Sequence, residues 1–528
     1  MSQAIKQSES LVPEMELSLP AKILGLWPVI VPMLATVALV VARIELGPGN
    51  FLKEGALTLL ALICYMSAAV IAVTNLFVKE RVLSRLGLIT IAIGYCFNLS
   101  GWMIRWVEAG DAEGWKEGIN GAWRYFPLDN LYPLTLGFCA GAAVTTLVIV
   151  RKPKFEFLSA MSMPIVTVIL TLAIFLGNEI RTLPPILDSY WRPIHVSIAT
   201  IGYGVCLVSF GIAFAYLLKD GVRSEAIAIA ACLFGLLIYG TIGRFGVPFH
   251  GEYGVALFFN KTPLPARAVL PGVGPLMVVA LLAIVASLLL FTIDWIRTDE
   301  KARRVGWRIF KLSAALQAVV LIAVFSWVAF PQKMSQMMGV SNFVAQIPAR
   351  EKPAFGEYLN KQMSAGWPAD RHQELADKWL QQEEPSQFTI NMKSNPVEFG
   401  GLIGLFVVLV MVSLFAWRRE DVVSAIPSLQ SLDGLLYRTV GVAFPLLSLL
   451  LITGAVWANE SWGRYWGWDS KEVGALVAWM AYAGFLHTRI SHGWRGRRSA
   501  YFALLGFALV IFTWLGVSYL LPGLHSYA

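Results

Sequence analysis

Trp457-Ala-Asn-Glu-Ser-Trp462-Gly-Arg-Tyr-Trp466-Gly-Trp468-Asp469-Ser-Lys471 is an aromatic, polar stretch set between two long apolar runs. Its four tryptophans are spaced by glycines and small polar residues, a composition that favours neither a helix nor a strand. Such rings predict either a flat platform for a large planar ligand or an aromatic belt at the headgroup level of a membrane. The rest of the chain decides between these two interpretations.

The composition is that of a membrane protein. Of the 528 residues 57% are hydrophobic and 14% are charged, whereas soluble domains contain about 25% charged residues. The net charge of +8 comes from basic residues in short loops, which indicates orientation in a membrane rather than binding to nucleic acid. The five cysteines lie inside apolar runs without a Cys-x-x-Cys pair, which argues against thiol redox chemistry and zinc binding. Residues 1–20 are polar and predict no cleavable signal peptide.

Thirteen apolar runs are long enough to cross a bilayer as helices, and they predict an all-α, polytopic transmembrane bundle. They fall at 22–43, 56–78, 86–107, 130–150, 158–180, 190–218, 226–244, 270–296, 309–330, 397–417, 433–457, 472–489 and 499–521. Clusters of Lys and Arg occupy every second connection, which predicts a cytoplasmic N-terminus, an outer C-terminus and an outer tryptophan stretch.

The chain is predicted to divide into three parts. Residues 1–220 form an N-terminal membrane half and residues 221–426 carry inserted spans, while residues 427–528 carry the tryptophan stretch. Within the middle part, 331–396 is the one long polar segment, and its aromatic spacing predicts a small outer cap of short amphipathic helices.

Three histidines are candidate ligands. His195 lies at the outer start of a span and His525 follows the outer end of the last one, both at the level of the tryptophans. Histidine is the usual axial ligand of haem iron, so two imidazoles flanking an aromatic platform favour haem over polar anchoring at the interface. His487 lies sixteen residues after Lys471, about 24 Å further inward along a helix. It is either a functional group in the membrane or part of a cytoplasmic polar collar with Arg489 and His492. His250 and His372 are interpreted as surface residues.

Several motifs together resemble the CcsA/ResC type of cytochrome c biogenesis protein. They are Pro127 to Tyr132, Ser189 to His195, Gly454-Ala-Val-Trp457, Trp462-Gly-x-x-Trp466-x-Trp468-Asp469-x-Lys471-Glu472, Leu486-His487-Thr-Arg489 and Gly523-Leu-His525. The resemblance covers roughly residues 56–220 and 427–528 and leaves 226–417 as an insertion of four spans.

The resemblance implies a haem-handling subunit of the System II cytochrome c synthase, the haem lyase complex, in the bacterial inner membrane. Haem b would be presented on the outer face for covalent attachment to the Cys-x-x-Cys-His site of an apocytochrome c, in work shared with a CcsB/ResB-type membrane protein. The positions that match the outer haem site are His195, His525, Trp462, Trp466, Trp468 and Asp469. His487 matches a histidine that receives haem from the cytoplasmic side, and its second ligand would come from another chain.

Two other functions remain open. A haem exporter, or a System I-like haem-delivery protein, would use the same platform without ligase activity. A quinone-linked electron carrier usually needs stacked histidine pairs within the spans, and this chain has only His487 so placed. The residues that pair with the haem propionates are also open, and charge and side alone leave four candidates: Arg124, Arg192, Arg464 and Lys471.

Overall fold

The structure is a computed structural model in which part of the chain is described. It describes residues 25–49, 51–115, 118–128, 130–175, 180, 185–243, 252–259, 262–270, 272–329, 388–391 and 396–521. His250, His372, His525 and nearly all of the predicted outer cap lie outside the described residues.

The described chain is almost entirely helical, because a backbone in lipid must satisfy its own hydrogen bonds. Its α-helices are α1 Trp27–Leu46, α2 Glu54–Val78, α3 Arg81–Glu113, α4 Leu131–Val150, α5 Leu158–Phe175, α6 Trp191–Lys219, α7 Ser224–Gly243, α8 Val273–Arg297, α9 Glu300–Ala329, α10 Pro396–Trp417, α11 Arg419–Ala425, α12 Leu429–Trp462, α13 Ser470–Ser491, α14 Arg497–Ile511 and α15 Val517–Leu520. The π-helical turn Phe512–Gly516 joins the last two, and Gly118–Tyr125, Pro153–Phe155 and Pro185–Leu187 are 3₁₀ helices.

Each of the thirteen predicted runs contains a helix, and the prediction of a polytopic helical membrane protein is confirmed. Eleven helices in the described chain are long and apolar enough to cross a membrane. Leu158–Ile174 is apolar but shorter, and α13 is not among the eleven. The orientation of the two termini remains a prediction.

A small antiparallel sheet accompanies the helices. Its strands are β1 Glu252–Phe259, β2 Thr262–Val269 and β3 Phe388–Asn391, in the order β2-β1-β3. The sheet joins the segment before α8 to the segment before α10. The helical periodicity of the sequence did not indicate it.

The described helices bury two large hydrophobic clusters and a small third one around Leu52, Leu57 and Ile104. The larger cluster is built from helices α2 to α6 and α12 to α14. The second large cluster is built from α7, α8, α9 and α10. Residues 220 and 426 remain predicted boundaries between parts of the chain. The helices that carry the functional residues described below, α6, α12 and α13, all contribute to the larger cluster.

Helix α6 lies at the centre of the larger cluster, packed between α4 and α12. Its approach to α4 is backbone to backbone, since a Cβ on Gly204 would lie 2.4 Å from the amide nitrogen of Ala142. Small residues allow this close contact between membrane helices. The opposite side of α6 therefore faces α12, and His195 lies on that side.

The basic connections meet at one end of the bundle, here called the basic end. Lys219 donates hydrogen bonds to the carbonyl oxygens of Val423 and Ile426 at 2.8 and 3.0 Å. Arg489 binds both carboxylate oxygens of Asp433 at 2.8 and 2.6 Å. The opposite end carries the tryptophan stretch and is called the tryptophan end. This grouping agrees with the alternation of basic connections in the sequence, although it does not establish which end is cytoplasmic.

Candidate functional site

A cavity opens at the tryptophan end between α4, α6, α12, α13 and the π-helical turn. Its empty volume, including the open mouth, is about 1140 Å³. The aromatic and ionisable residues of its wall are Arg192, His195, Tyr203, Trp457, Trp462, Tyr465, Trp466, Lys471, Glu472 and Trp514. Leucines from α4 and α12 supply much of the rest, so the wall is mostly apolar with a few polar groups, as in sites for organic ligands.

His195 is held in one orientation by α12. Its Nδ1 lies 3.0 Å from the carbonyl oxygen of Leu450 and 3.3 Å from Oγ1 of Thr453. Because a carbonyl oxygen can only accept, this contact places the proton on Nδ1 and the lone pair on Nε2. Histidines that ligate metals usually donate their other ring N–H in this way.

Gly454 makes room for the imidazole. A Cβ at this position would lie 2.7 Å from Cε1 and 3.1 Å from Nδ1 of His195, closer than any van der Waals contact allows. The ring therefore lies against the bare backbone of α12. Gly454 belongs to the Gly454-Ala-Val-Trp457 motif, but the sequence alone gave it no role.

Two tryptophans of α12 continue the wall beyond the histidine. The ring centroid of Trp457 lies 5.8 Å from that of His195 and 6.1 Å from that of Trp462. Trp457 is only 4% exposed. The prediction that 457–471 is neither helix nor strand is wrong for 457–462, because α12 continues to Trp462 and ends where Gly463 adopts a φ of +70°.

The remaining loop places Trp466 and Trp468 differently. Their centroids are 5.9 Å apart in an edge-to-face arrangement, and Trp466 lines the cavity. Trp468 is 73% exposed, has a φ of +57° and is not part of the cavity wall. The structure thus brings Trp462 and Trp466 to His195 and leaves Trp468 outside.

Asp469 caps helix α13. Its side chain accepts a hydrogen bond from the backbone N–H of Lys471, and its own N–H donates to Glu472 Oε2 at 3.1 Å, completing a capping box. Glu472 also accepts from the N–H of Gly467 at 2.8 Å. Asp469 is absent from the cavity wall. Its position in the motif is explained locally by the start of α13, because a capping box satisfies N–H groups that the helix cannot.

The start of α6 is fixed to the neighbouring loops. Arg192 is 2% exposed and donates to the carbonyl oxygen of Arg124 at 2.7 Å. Arg124 forms an ion pair of 2.9 Å with Asp188. Ser189 donates to the carboxylate of Glu460 on α12. These contacts hold the segment that presents His195 against α12.

The π-helical turn supplies the far wall of the cavity. Such turns occur often at functional sites because the extra residue redirects side chains. Trp514 is 1% exposed, its ring lies edge-to-face with Phe138 at 5.3 Å, and its indole N–H has no hydrogen-bond acceptor among the described residues. Neither Trp514 nor Tyr203 was a candidate from the sequence, because isolated aromatic residues in apolar runs carry no signal.

His487 lies near the basic end and not in the cavity. It is exposed on α13, with its ring 5.5 Å from that of His492. No group of three or more His, Cys, Asp or Glu side chains that could hold a metal ion occurs in the part of the chain that is described.

Comparison with known proteins relates both halves of the cavity to one family. Residues 128–250 and 399–525, just under half of the chain, match the model of the cytochrome C assembly protein family. Over 99 residues the chain is 56% identical to the cytochrome c biogenesis protein CcsA of Guillardia theta, covering 19% of this chain and 33% of that protein. Over 98 residues it is 53% identical to CcsA of Gloeobacter violaceus, covering 19% and 29%.

The chain thus spans about a third of the length of these curated relatives. No solved structure matches it significantly. Helix α7 and almost all of α10 lie inside the matched segments, and 251–398 lies between them. Among its described residues the unmatched segment contains two long helices, α8 and α9, where the sequence indicated an insertion of four spans.

Proposed function

We propose that this chain binds haem b in the cavity at its tryptophan end. The premise is the similarity of residues 128–250 and 399–525 to CcsA-type cytochrome c biogenesis proteins. In this cavity the chain would present haem for covalent attachment to the Cys-x-x-Cys-His site of an apocytochrome c. The cavity would then open on the outer face of the bacterial inner membrane.

The observation that carries this proposal is the fixed imidazole of His195. The carbonyl of Leu450 holds Nδ1, and Nε2 carries the lone pair that haem iron requires. An aromatic belt would not need this arrangement, since belt rings lie at the membrane surface, whereas Trp457 is buried and lies beside the histidine.

The second axial ligand in this proposal is His525. Helix α15 ends at Leu520 beyond the π-helical turn that lines the cavity, and His525 follows five residues later in the sequence. Two imidazoles from segments far apart in the sequence would then hold the haem iron between them.

Positioning is the main contribution of this chain to the chemistry. In thioether formation each cysteine S–H adds across a vinyl C=C bond, with sulfur bonded to one carbon and the proton delivered to the other, so the addition needs no oxidant. A fixed haem lowers the barrier chiefly by orientation. Trp462 and Trp466 would restrict the porphyrin within the cavity.

The basic end has a separate role in the proposal. His487 would receive haem at the cytoplasmic side, where its exposure on α13 leaves room for a CcsB/ResB-type partner to contribute the opposite ligand. A haem exporter or delivery protein would share both sites and lack only the attachment step.

Visible spectroscopy tests the proposal. The full chain is purified in detergent with its candidate partner, and His195→Ala is compared with His492→Ala, a change at the basic end. We expect a bis-histidine haem spectrum in the wild type and in His492→Ala. In His195→Ala we expect less bound haem, because only the proposed site at His487 and the partner could still hold it. Absence of haem from the wild-type complex would overturn the proposal. Haem binding without thioether formation on a Cys-x-x-Cys-His peptide would instead favour the delivery function.

A further inference from the structure

The sequence left four basic residues as equal candidates to pair with the haem propionates. The structure gives these four side chains different surroundings. Arg124 is paired with Asp188 at 2.9 Å and lies over the ring of Trp123. Arg464 is exposed, packs against Gly467 and is not part of the cavity wall. Arg192 lines the cavity but is committed in part to the carbonyl of Arg124. Lys471 lines the cavity from the first turn of α13.

The carboxylates nearest to Lys471 in the sequence are used by the backbone. Asp469 accepts from the N–H of Lys471, and Glu472 accepts from the N–H groups of Gly467 and Asp469. Asp469 attracts the ammonium electrostatically, but no ion pair within 4 Å is found for Lys471 in the described part of the chain. The capping box thus engages both acids with backbone N–H groups. Glu472 lines the cavity together with Lys471, but its Oε2 is occupied by the N–H groups of Gly467 and Asp469.

Many of the residues that line the cavity around this ammonium are apolar or aromatic. Lys471 is half-buried beside an opening walled by Trp462, Trp466 and Ala475. A cation held among apolar groups is stabilised strongly by an anion that forms a charge-assisted hydrogen bond with it. A ligand that is flat, apolar and edged with carboxylates would match both the aromatic wall and the ammonium.

We infer that Lys471 binds a propionate carboxylate of haem and thereby selects porphyrins with free carboxylates. This inference rests on the proposed function and assigns the orientation of the ligand within that same cavity. Arg192 reinforces the positive potential from α6, while Lys471, on a flexible stem, makes the direct contact. Lysine acts here as a movable point charge.

Two ligands and two variants test the inference. Ferric haem and its dimethyl ester, which lacks the carboxylates, are titrated into the haem-free full chain in detergent and followed by the Soret band. Lys471→Met removes the charge and keeps most of the stem. Arg464→Met removes a cation in the same loop that does not line the cavity.

We expect Lys471→Met to weaken haem binding about tenfold, since hydrogen bonds to charged groups contribute about that much. Binding of the dimethyl ester should change less than twofold in the same variant. Arg464→Met should bind both ligands as the wild type does. Raising the ionic strength should weaken haem binding more in the wild type than in Lys471→Met.

Two results would overturn the inference while leaving haem binding intact. One is an unchanged haem affinity in Lys471→Met. The other is an equal loss of haem and ester, which would assign Lys471 a role in the shape of the cavity. If the wild type binds neither ligand, the proposed function itself fails, so the two failures are distinguishable.

Discussion

The two ends of one helical bundle treat their histidines in opposite ways. At the tryptophan end His195 lies between α6 and α12, with its Nδ1 fixed by a carbonyl and its ring against Gly454. At the basic end His487 is exposed on α13, and His492 is its nearest aromatic neighbour. A ligand with a fixed tautomer suits a site that holds haem in one position. An exposed imidazole suits a site whose second ligand comes from a partner protein, or a site that binds haem only transiently.

The surroundings of the two histidines sharpen this contrast. At the tryptophan end buried aromatic side chains line a cavity. The basic end instead carries ion pairs, one largely buried between Arg489 and Asp433 and one more exposed between Arg497 and Asp220. The comparison therefore predicts that mutations at the tryptophan end change ligand binding, in some cases together with stability, and that mutations at the basic end change stability alone.

The largest effect is expected for Trp457→Ala. Removing a tryptophan that is 4% exposed should lower the free energy of unfolding by about 3–5 kcal/mol and remove one wall from His195. Trp468→Ala, at a position 73% exposed, should change it by less than about 0.5 kcal/mol. Equilibrium unfolding in detergent measures both. Equal costs in the two variants would contradict the assignment of Trp457 to the buried wall.

A smaller effect, confined to the basic end, is expected for Arg489→Met. Its guanidinium binds both oxygens of Asp433, and the side chains are 12% and 16% exposed. Asp433 would keep only the hydrogen bond from the N–H of Gly496, and losing the guanidinium should cost about 3 kcal/mol, the lower limit for breaking a buried pair. The haem spectrum of the His195 site should persist in this variant. A lost spectrum in protein that remains folded would show that the two ends are coupled.

The sequence alone predicted the helices and part of the cavity wall, but it did not predict the role of every residue at the site. Apolar run lengths predicted the helices because a spanning segment has a required length. The tryptophan-rich stretch and the position of His195 predicted that His195, Trp462 and Trp466 lie close together. The fold places all three in the wall of one cavity. Asp469 seemed a candidate for ligand contact, but it caps α13, and that role depends on a hydrogen bond between residues three apart.

Other details depended on contacts between distant segments. Gly454 acquires its role only where the ring of a residue 259 positions earlier in the chain lies against it. Trp514 reaches the cavity through a π-helical turn, a local change of register that hydrophobic periodicity does not predict. The sheet of β1, β2 and β3 joins segments more than a hundred residues apart. Hydrophobic periodicity and local motifs in a single sequence do not predict such contacts between distant segments.

Gly454→Ala should weaken haem binding by about 10- to 100-fold, the usual cost of disturbing a group that orients a metal ligand. The new methyl group would lie 2.7 Å from Cε1 of His195 and would push the imidazole from its position. Gly441→Ala, on the same helix with nothing within 4 Å of the new Cβ, is the matched control. It should keep haem binding and gain up to about 1 kcal/mol of helix stability. Similar haem affinities in both alanine variants would contradict the packing of His195 on Gly454.

The smallest effect separates capping from ligand contact at Asp469. Asp469→Ala should cost about 1 kcal/mol, because the first turn of α13 loses the acceptor for a backbone N–H. Asp469→Asn keeps an oxygen that caps nearly as well and removes the charge, so its unfolding curve and haem spectrum should both resemble the wild type. A haem affinity that falls in the asparagine variant as far as in the alanine variant would mean that the carboxylate charge acts on the ligand.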